Sequence, residues 1–157
     1  MPKVKAELLI NEVYDRFIEE AIKRSDAFGF DISEDEDLSD FASYRINPAN
    51  CSNASDHMYR ISNKTKELLL KPNGILDWTA PNFPNDLAFY KSGYCWFYTI
   101  ICENDVTLCV DNADEIAVWK KAGVEFADEF NYFDDVVNRI FCKYDYKTKI
   151  IDNEIIG

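Results

Sequence analysis

The strongest constraint on the fold is a run of apolar and aromatic residues at positions 87–110, which reads LAFYKSGYCWFYTIICENDVTLCV. Val, Ile, Thr, Tyr, Phe and Trp dominate this run, and these residue types are typical of strands in a half-buried sheet. Turn signals interrupt it at Ser92-Gly93 and at residues 103–105. Because short gaps between strands favour hairpins, the run predicts antiparallel strands over residues 87–91, 94–102 and 106–110.

Alternation along the middle strand predicts which of its side chains share a face of the sheet. One face would carry Tyr94, Trp96, Tyr98, Ile100 and Cys102, and the other Cys95, Phe97, Thr99 and Ile101. Both sets are largely apolar, which predicts that both faces are covered and that a helix layer lies on at least one of them. In the alternative interpretation, Tyr94, Trp96 and Tyr98 form an exposed aromatic ladder that binds a partner.

An amphipathic segment at residues 4–27 predicts a long N-terminal helix. Its apolar stripe recurs at helical spacing, and the stripe comprises Leu9, Ile10, Val13, Tyr14, Phe17, Ile18, Ala21 and Ile22. Shorter helices are predicted over residues 62–71, where Ser62 is the cap, and over residues 132–144. A further helix is predicted to begin after Asn112. The predicted fold class is therefore α+β, with an antiparallel meander of about three to five strands packed against the long helix and two or three shorter helices.

Length and composition favour a single domain covering residues 1–157. Residues 30–61 are acidic and poorly patterned, and the tail at 147–157 is predicted to form an edge strand or to fray. A net charge of −12 argues against nucleic acid as a ligand and favours a basic protein partner. No segment is apolar enough to span a membrane, and the N-terminus does not resemble a secretory signal.

The cysteine pattern favours a cytoplasmic protein with reduced thiols. There are five cysteines, an odd number, and no C-x-x-C motif. Together with a single histidine, His57, they do not supply the clustered ligands of a zinc site. His57 lies beside Asp56 and close to Cys51, but sequence proximity alone does not establish a catalytic pair. No catalytic residue, metal or cofactor is predicted, and the sequence leaves the oligomeric state open.

An acidic stretch without lysine or arginine is the clearest charged feature. It comprises Asp26, Asp31, Glu34, Asp35, Glu36, Asp37 and Asp40. The alternate spacing of Asp31, Ser33 and Asp35 resembles the start of a calcium-binding EF-hand loop. However, Glu36 stands where that loop requires glycine, and Ala42 stands where it requires glutamate. The pattern is therefore better explained by a solvated acidic loop.

A second motif carries a family resemblance. It covers residues 76–97, LDWTAPNFPNDLAFYKSGYCWF, and continues at residues 122–126, AGVEF. This pattern, with its PN-x-P-x-D and FYK-x-G-x-x-W segments, resembles one that recurs in small uncharacterised bacterial proteins. Some proteins of that kind are similar to immunity proteins of bacterial toxin systems. The motif is aromatic and rich in turn signals, so the resemblance bears on the fold more than on the activity, and it transfers no catalytic residues.

Two functional hypotheses follow from these patterns. The first is a non-enzymatic, acidic binding domain, in its concrete form an immunity-type inhibitor of a basic toxin domain. Its partner-binding residues would be Glu34, Asp35, Glu36 and Asp37, with Tyr44 and His57 nearby. The second is a small-ligand-binding protein or enzyme with an aromatic pocket between the helix and the sheet. Trp78, Tyr94, Trp96 and Tyr98 would line that pocket, with Asp77 or Asp86 as an acid or base.

Overall fold

The predicted strand run forms the middle of a single antiparallel sheet. A computed structural model describes residues 3–32, 38–46, 55, 57–110 and 113–128. The strands are β1 Lys3–Val4, β2 Ala27–Asp31, β3 Arg45–Ile46, β4 His57–Arg60, β5 Asn85–Lys91, β6 Tyr94–Ile100, β7 Asp105–Leu108 and β8 Phe126–Asp128. Across the sheet their order is β3-β4-β2-β5-β6-β7-β1-β8. The helices are α1 Asn11–Arg24, α2 Asn63–Leu69 and α3 Ala113–Lys121.

These elements confirm the α+β class but not the size of the sheet. The described residues contain eight strands, so the prediction of three to five is wrong. The difference arises from short strands that carry too few residues for an alternating pattern, such as β1 and β3. β3 and β4 also lie within residues 30–61, which are poorly patterned in the sequence.

The N-terminal helix is shorter than predicted, because it begins at Asn11 rather than near residue 4. Asn11 has a φ of 52°, and its N–H donates to the carbonyl of Asn73 at 2.6 Å. The preceding residues also bond to other segments: the Ile75 N–H donates to the Leu9 carbonyl at 3.0 Å. Lys3 pairs with Thr107 in β7. These long-range backbone bonds leave no signal in the local apolar pattern.

The short helix α2 begins where its capping residue predicts. The Ser62 side chain accepts a hydrogen bond from the Thr65 N–H at 3.1 Å, and the Thr65 hydroxyl accepts one from the Ser62 N–H at 2.9 Å. This reciprocal pair satisfies two backbone donors that have no partner within the helix.

One face of the sheet packs against the helices through an aromatic cluster. Phe17 of α1 is fully buried. Its ring centroid lies 4.8 Å from that of Phe97, 6.3 Å from that of Phe89 and 5.2 Å from that of Trp119 in α3. Phe17 therefore connects α1 with two central strands and with α3, and it holds the helix layer on the sheet.

The other face of the sheet carries a smaller buried cluster around Met58, Ala88, Tyr90 and Cys95. Ser55 packs closely against this face, since a Cβ added to Gly29 would lie 2.6 Å from the Ser55 Cβ. The close approach explains why glycine occupies a central position in β2. Both faces of the central strands are thus covered, as the apolar pattern predicts.

The predicted helix at 132–144 and the tail at 147–157 lie outside the described residues. Among the helices that the structure does describe, none is long and apolar enough to cross a membrane.

We expect Phe17→Ala to lower the free energy of unfolding by about 3–5 kcal/mol, because it leaves a cavity between α1, α3 and the sheet. Urea denaturation measures this change. Leu8→Ala is the control, since Leu8 is 42% exposed and its truncation should lower stability by less than about 1 kcal/mol. Equal losses in the two variants would show that Phe17 does not hold the helix layer.

Candidate functional site

The six residues of the predicted pocket do not gather at one place. Trp78 is fully buried in the core. Its indole Nε1 donates a hydrogen bond to the Tyr14 hydroxyl at 2.9 Å, and that hydroxyl donates to the Leu69 carbonyl at 2.6 Å. The indole ring also stacks on Phe30, with ring centroids 5.9 Å apart. Trp78 therefore joins α1 to the end of α2 and does not line an open pocket.

The two predicted acid or base groups accept hydrogen bonds from the backbone. Asp77 accepts from the N–H groups of Asn73 and Gly74, at 2.9 and 3.1 Å. Asp86 accepts from the N–H of Ile101 at 2.9 Å, and its own φ is 62°. Each carboxylate thus fixes a turn, which is a common structural role for aspartate.

Tyr98 lies on the face of the sheet opposite the helices. It packs against the cluster that contains Cys95, and the Lys3 ammonium lies 6.0 Å from its ring centroid. Trp96, in contrast, belongs to the cluster on the helix side. The predicted ladder of Tyr94, Trp96 and Tyr98 on one face is therefore wrong.

A β-bulge in β6 explains why these side chains separate. Phe89 pairs with Phe97, whereas the next residue of β5, Tyr90, pairs with Cys95. Trp96 is the extra residue between them, so Trp96 and Phe97 both contribute to the helix-side core. An insertion of this kind reverses the alternation on one side of the bulge.

The bulge brings Tyr94 and Trp96 to a cavity of about 300 Å³ at one end of the sheet. Its lining residues come from the C-terminal end of α1, the β5–β6 hairpin, the residue after β7, and α3. They are Arg24, Lys91, Ser92, Tyr94, Trp96, Cys109, Glu115 and Trp119. Two of the six predicted pocket residues therefore lie here, and the cavity is the strongest candidate site in the described part of the chain.

Stacked aromatic rings form the floor of this cavity. The rings of Trp96 and Trp119 lie 5.4 Å apart at an interplanar angle of 23°. The Arg24 guanidinium lies over the Trp119 ring, 5.4 Å from its centroid. The Nε of Arg24 donates a hydrogen bond to Glu20 at 3.0 Å. The Trp96 Nε1 donates to the Ser25 hydroxyl at 2.9 Å. These contacts fix both indoles, so the aromatic wall is formed without a ligand.

Sequence reasoning missed Trp119 and Arg24 as members of this site. Trp119 fits the apolar spacing of a helix with Ile116 and Ala122, and Arg24 lies among the polar residues of the N-terminal amphipathic segment. Neither pattern distinguishes a site residue from an ordinary one. Only the bulge at Trp96 brings that indole towards α3. Lys91, next to the hairpin turn, is a positive charge close to the aromatic strand in the sequence.

The residues predicted to bind a partner protein are only partly described. Glu34, Asp35, Glu36 and Asp37 lie outside the described residues. His57 begins β4 and pairs with Phe30, close to the end of β2 from which the acidic stretch departs. Tyr44 lies towards the other end of β4, with its ring centroid 4.9 Å from the Arg60 guanidinium carbon. His57 and Tyr44 therefore flank β4 from opposite ends.

Metal ligands do not cluster in the described part of the chain, where no group of three or more His, Cys, Asp or Glu side chains converges. The cysteines in that part, Cys95, Cys102 and Cys109, are thiols that form no disulfide bond. Residues 33–37 of the possible EF-hand loop, which include Ser33 and Asp35, lie outside the described residues.

Comparison with known proteins finds no family model, no curated protein and no solved structure that matches this chain.

We expect Tyr14→Phe to lower the free energy of unfolding by about 1–3 kcal/mol at neutral pH, because it leaves the Trp78 indole N–H and the Leu69 carbonyl buried without their partner. Urea denaturation measures the loss. Tyr94→Phe is the control, since Tyr94 is 44% exposed. A loss no larger than that of the control would contradict the role of the Tyr14 hydroxyl.

Stability at alkaline pH gives a second test of the same hydroxyl. Burial raises the pKa of Tyr14 far above its ordinary value, whereas in the unfolded chain it titrates near pH 10. Above about pH 10, the unfolded state therefore loses this proton while the folded state keeps it, and stability falls by up to about 1.4 kcal/mol per pH unit. The Tyr14→Phe variant has no hydroxyl at this position, so its stability does not fall for this reason.

The stability difference between the wild type and Tyr14→Phe should consequently narrow by about 1 kcal/mol between about pH 8 and about pH 11. Tyr59, whose pKa burial also raises, is present in both proteins and cancels in the comparison. A difference that stays constant over this range would contradict the assignment.

Proposed function

We propose that this chain is a non-enzymatic, acidic protein-binding domain of the cytoplasm, and that its partner is a basic protein such as a toxin domain. The observation that carries the proposal is the charge: −12 overall, with seven carboxylates and no lysine or arginine in residues 26–40. A surface of this kind attracts a basic partner, accelerates encounter and rejects acidic competitors.

The fold supports the proposal by fixing both ends of the acidic stretch. At one end, β2 is held between β4 and β5 in the middle of the sheet. Asp31 pairs there with Asn85. At the other end, the chain re-enters the described structure in a 3-10 helix, Ser39–Tyr44, anchored by the buried Phe41. The carboxylates between them are therefore tethered to two fixed points of the scaffold.

The roles of other carboxylates are consistent with a binding protein. Asp77 and Asp86, the candidates for acid or base chemistry, accept backbone hydrogen bonds that shape turns. The sequence motif at residues 76–97, which resembles immunity-like bacterial proteins, coincides with these turns and with the β5–β6 hairpin. The motif thus contributes to the scaffold, and our proposal places the contact with the partner in the acidic stretch.

The test measures association with the protein encoded by the adjacent gene, immobilised for surface plasmon resonance. The loop variant replaces Glu34, Asp35, Glu36 and Asp37 by Gln or Asn. We expect its association rate to fall by about tenfold or more at low salt, because the steering charge is removed. The wild-type rate should fall with rising salt, and that of the loop variant should depend on salt less.

A matched control removes the same amount of charge elsewhere. It replaces Glu7, Glu12, Asp15 and Glu103, all exposed, by Gln or Asn. Retention of binding by the control and loss by the loop variant supports the proposal. Equal rates for the two variants would exclude the acidic loop from the interface, and no binding by the wild type would exclude that protein as the partner.

A further inference from the structure

The cavity at the end of the sheet has the walls of a small-molecule site. Its volume of about 300 Å³ lies at the lower end of the range for ligand pockets. The indoles of Trp96 and Trp119 are 8% and 1% exposed, so they are held by the core, whereas Tyr94 at the mouth is 44% exposed. A planar ring entering the cavity would contact rigid aromatic surface inside and the phenol outside.

The lining carries charges of both signs. Arg24 and Lys91 provide two cations, and Glu115 provides one carboxylate. Two further carboxylates lie against the mouth, because Glu20 accepts from the Arg24 Nε at 3.0 Å and Asp26 accepts from the Ser92 N–H at 2.9 Å. The Arg24 charge is therefore paired, and Lys91 is the cation of the lining that can contact an anionic group of a ligand.

The two cations lie on different elements that meet at the cavity. Arg24 ends α1, and its side chain is about one-third exposed while its guanidinium covers Trp119. Lys91 ends β5 immediately before the hairpin turn, where Ser92 and Gly93 both have positive φ. The Ser92 N–H donates to Asp26 at 2.9 Å, which fixes that turn relative to the end of α1. Fixed parts of the scaffold consequently hold Arg24 and Lys91 at the mouth.

We propose that this cavity binds a small aromatic carboxylate, with the ring against Trp96, Trp119 and Tyr94 and the carboxylate at Lys91. Aromatic contact supplies apolar burial, and the Lys91 ammonium selects the charged end of the ligand. The site involves neither residues 33–37 nor a partner protein, so it stands apart from the proposed function and is tested separately.

The experiment uses 4-fluorobenzoate as the probe and 4-fluorobenzyl alcohol as its neutral counterpart. Fluorine NMR of each probe, titrated with the full chain, measures its affinity. We expect saturable binding of both, with the carboxylate bound more tightly. In a proton–nitrogen spectrum of the protein, the probe should move the indole signals of Trp96 and Trp119. The third tryptophan, Trp78, should keep its signal, because its Nε1 is bonded to Tyr14 in the core.

Two pairs of variants separate charge from aromatic contact. Lys91→Gln should weaken the binding of 4-fluorobenzoate by about three- to fivefold, as expected of an exposed ion pair. It should leave the affinity for the alcohol unchanged. Its control is Lys71→Gln, which removes an exposed lysine beyond α2. Tyr94→Ser should lower the affinity for both probes, whereas Tyr98→Ser, on the opposite face of the sheet, should lower neither affinity.

The proposal is overturned if neither probe saturates or if the Trp96 and Trp119 signals do not move. Equal affinity for the carboxylate and the alcohol would overturn the anion preference, as would an identical effect of Lys91→Gln and Lys71→Gln. Binding of 4-fluorobenzoate by the acidic-loop variant with wild-type affinity is also expected, so failure of the partner-binding test and failure of this one are distinguishable.

Discussion

The packing of the Phe17 ring against Phe89, Phe97 and Trp119 is the interaction on which the rest of the structure depends. These rings come from α1, from the two central strands and from α3. Because a buried aromatic side chain contributes several kcal/mol through burial and ring contacts, this cluster fixes the helix layer on the sheet. The end of α1 and the start of the β5–β6 hairpin are then held beside each other, and the cavity forms between them.

The sequence predicted those parts of the fold that local pattern determines. The apolar stripe located α1, the Ser62 cap located the start of α2, and the aromatic run with its turn signals located β5, β6 and β7. The parts that it could not predict depend on distant pairing. β1 takes its place between β7 and β8 through backbone hydrogen bonds, and two-residue strands have no periodicity to detect.

The candidate site shows the same division between local and distant information. Tyr94 and Trp96 were predicted as pocket residues, and they do lie together. Tyr98 was assigned to the same face because strict alternation was assumed, whereas the extra residue at the bulge places it on the opposite face. Trp78 was included for its aromatic character, but the Tyr14 hydroxyl holds its indole in the core. The aromatic character of these residues and the two-residue period of a strand do not by themselves distinguish a ring at the cavity from one in the core or on the opposite face.

The central claim is that the β6 bulge turns Trp96 towards the helices, which adds its indole to the aromatic cluster and brings it to the cavity. The most direct test is a nuclear Overhauser spectrum of the protein with labelled tryptophan and tyrosine rings. The account predicts cross-peaks between the rings of Trp96 and Trp119, whose centroids lie 5.4 Å apart, and none between Trp96 and Tyr98. Cross-peaks between Trp96 and Tyr98 without those to Trp119 would indicate an unbroken strand and would contradict it.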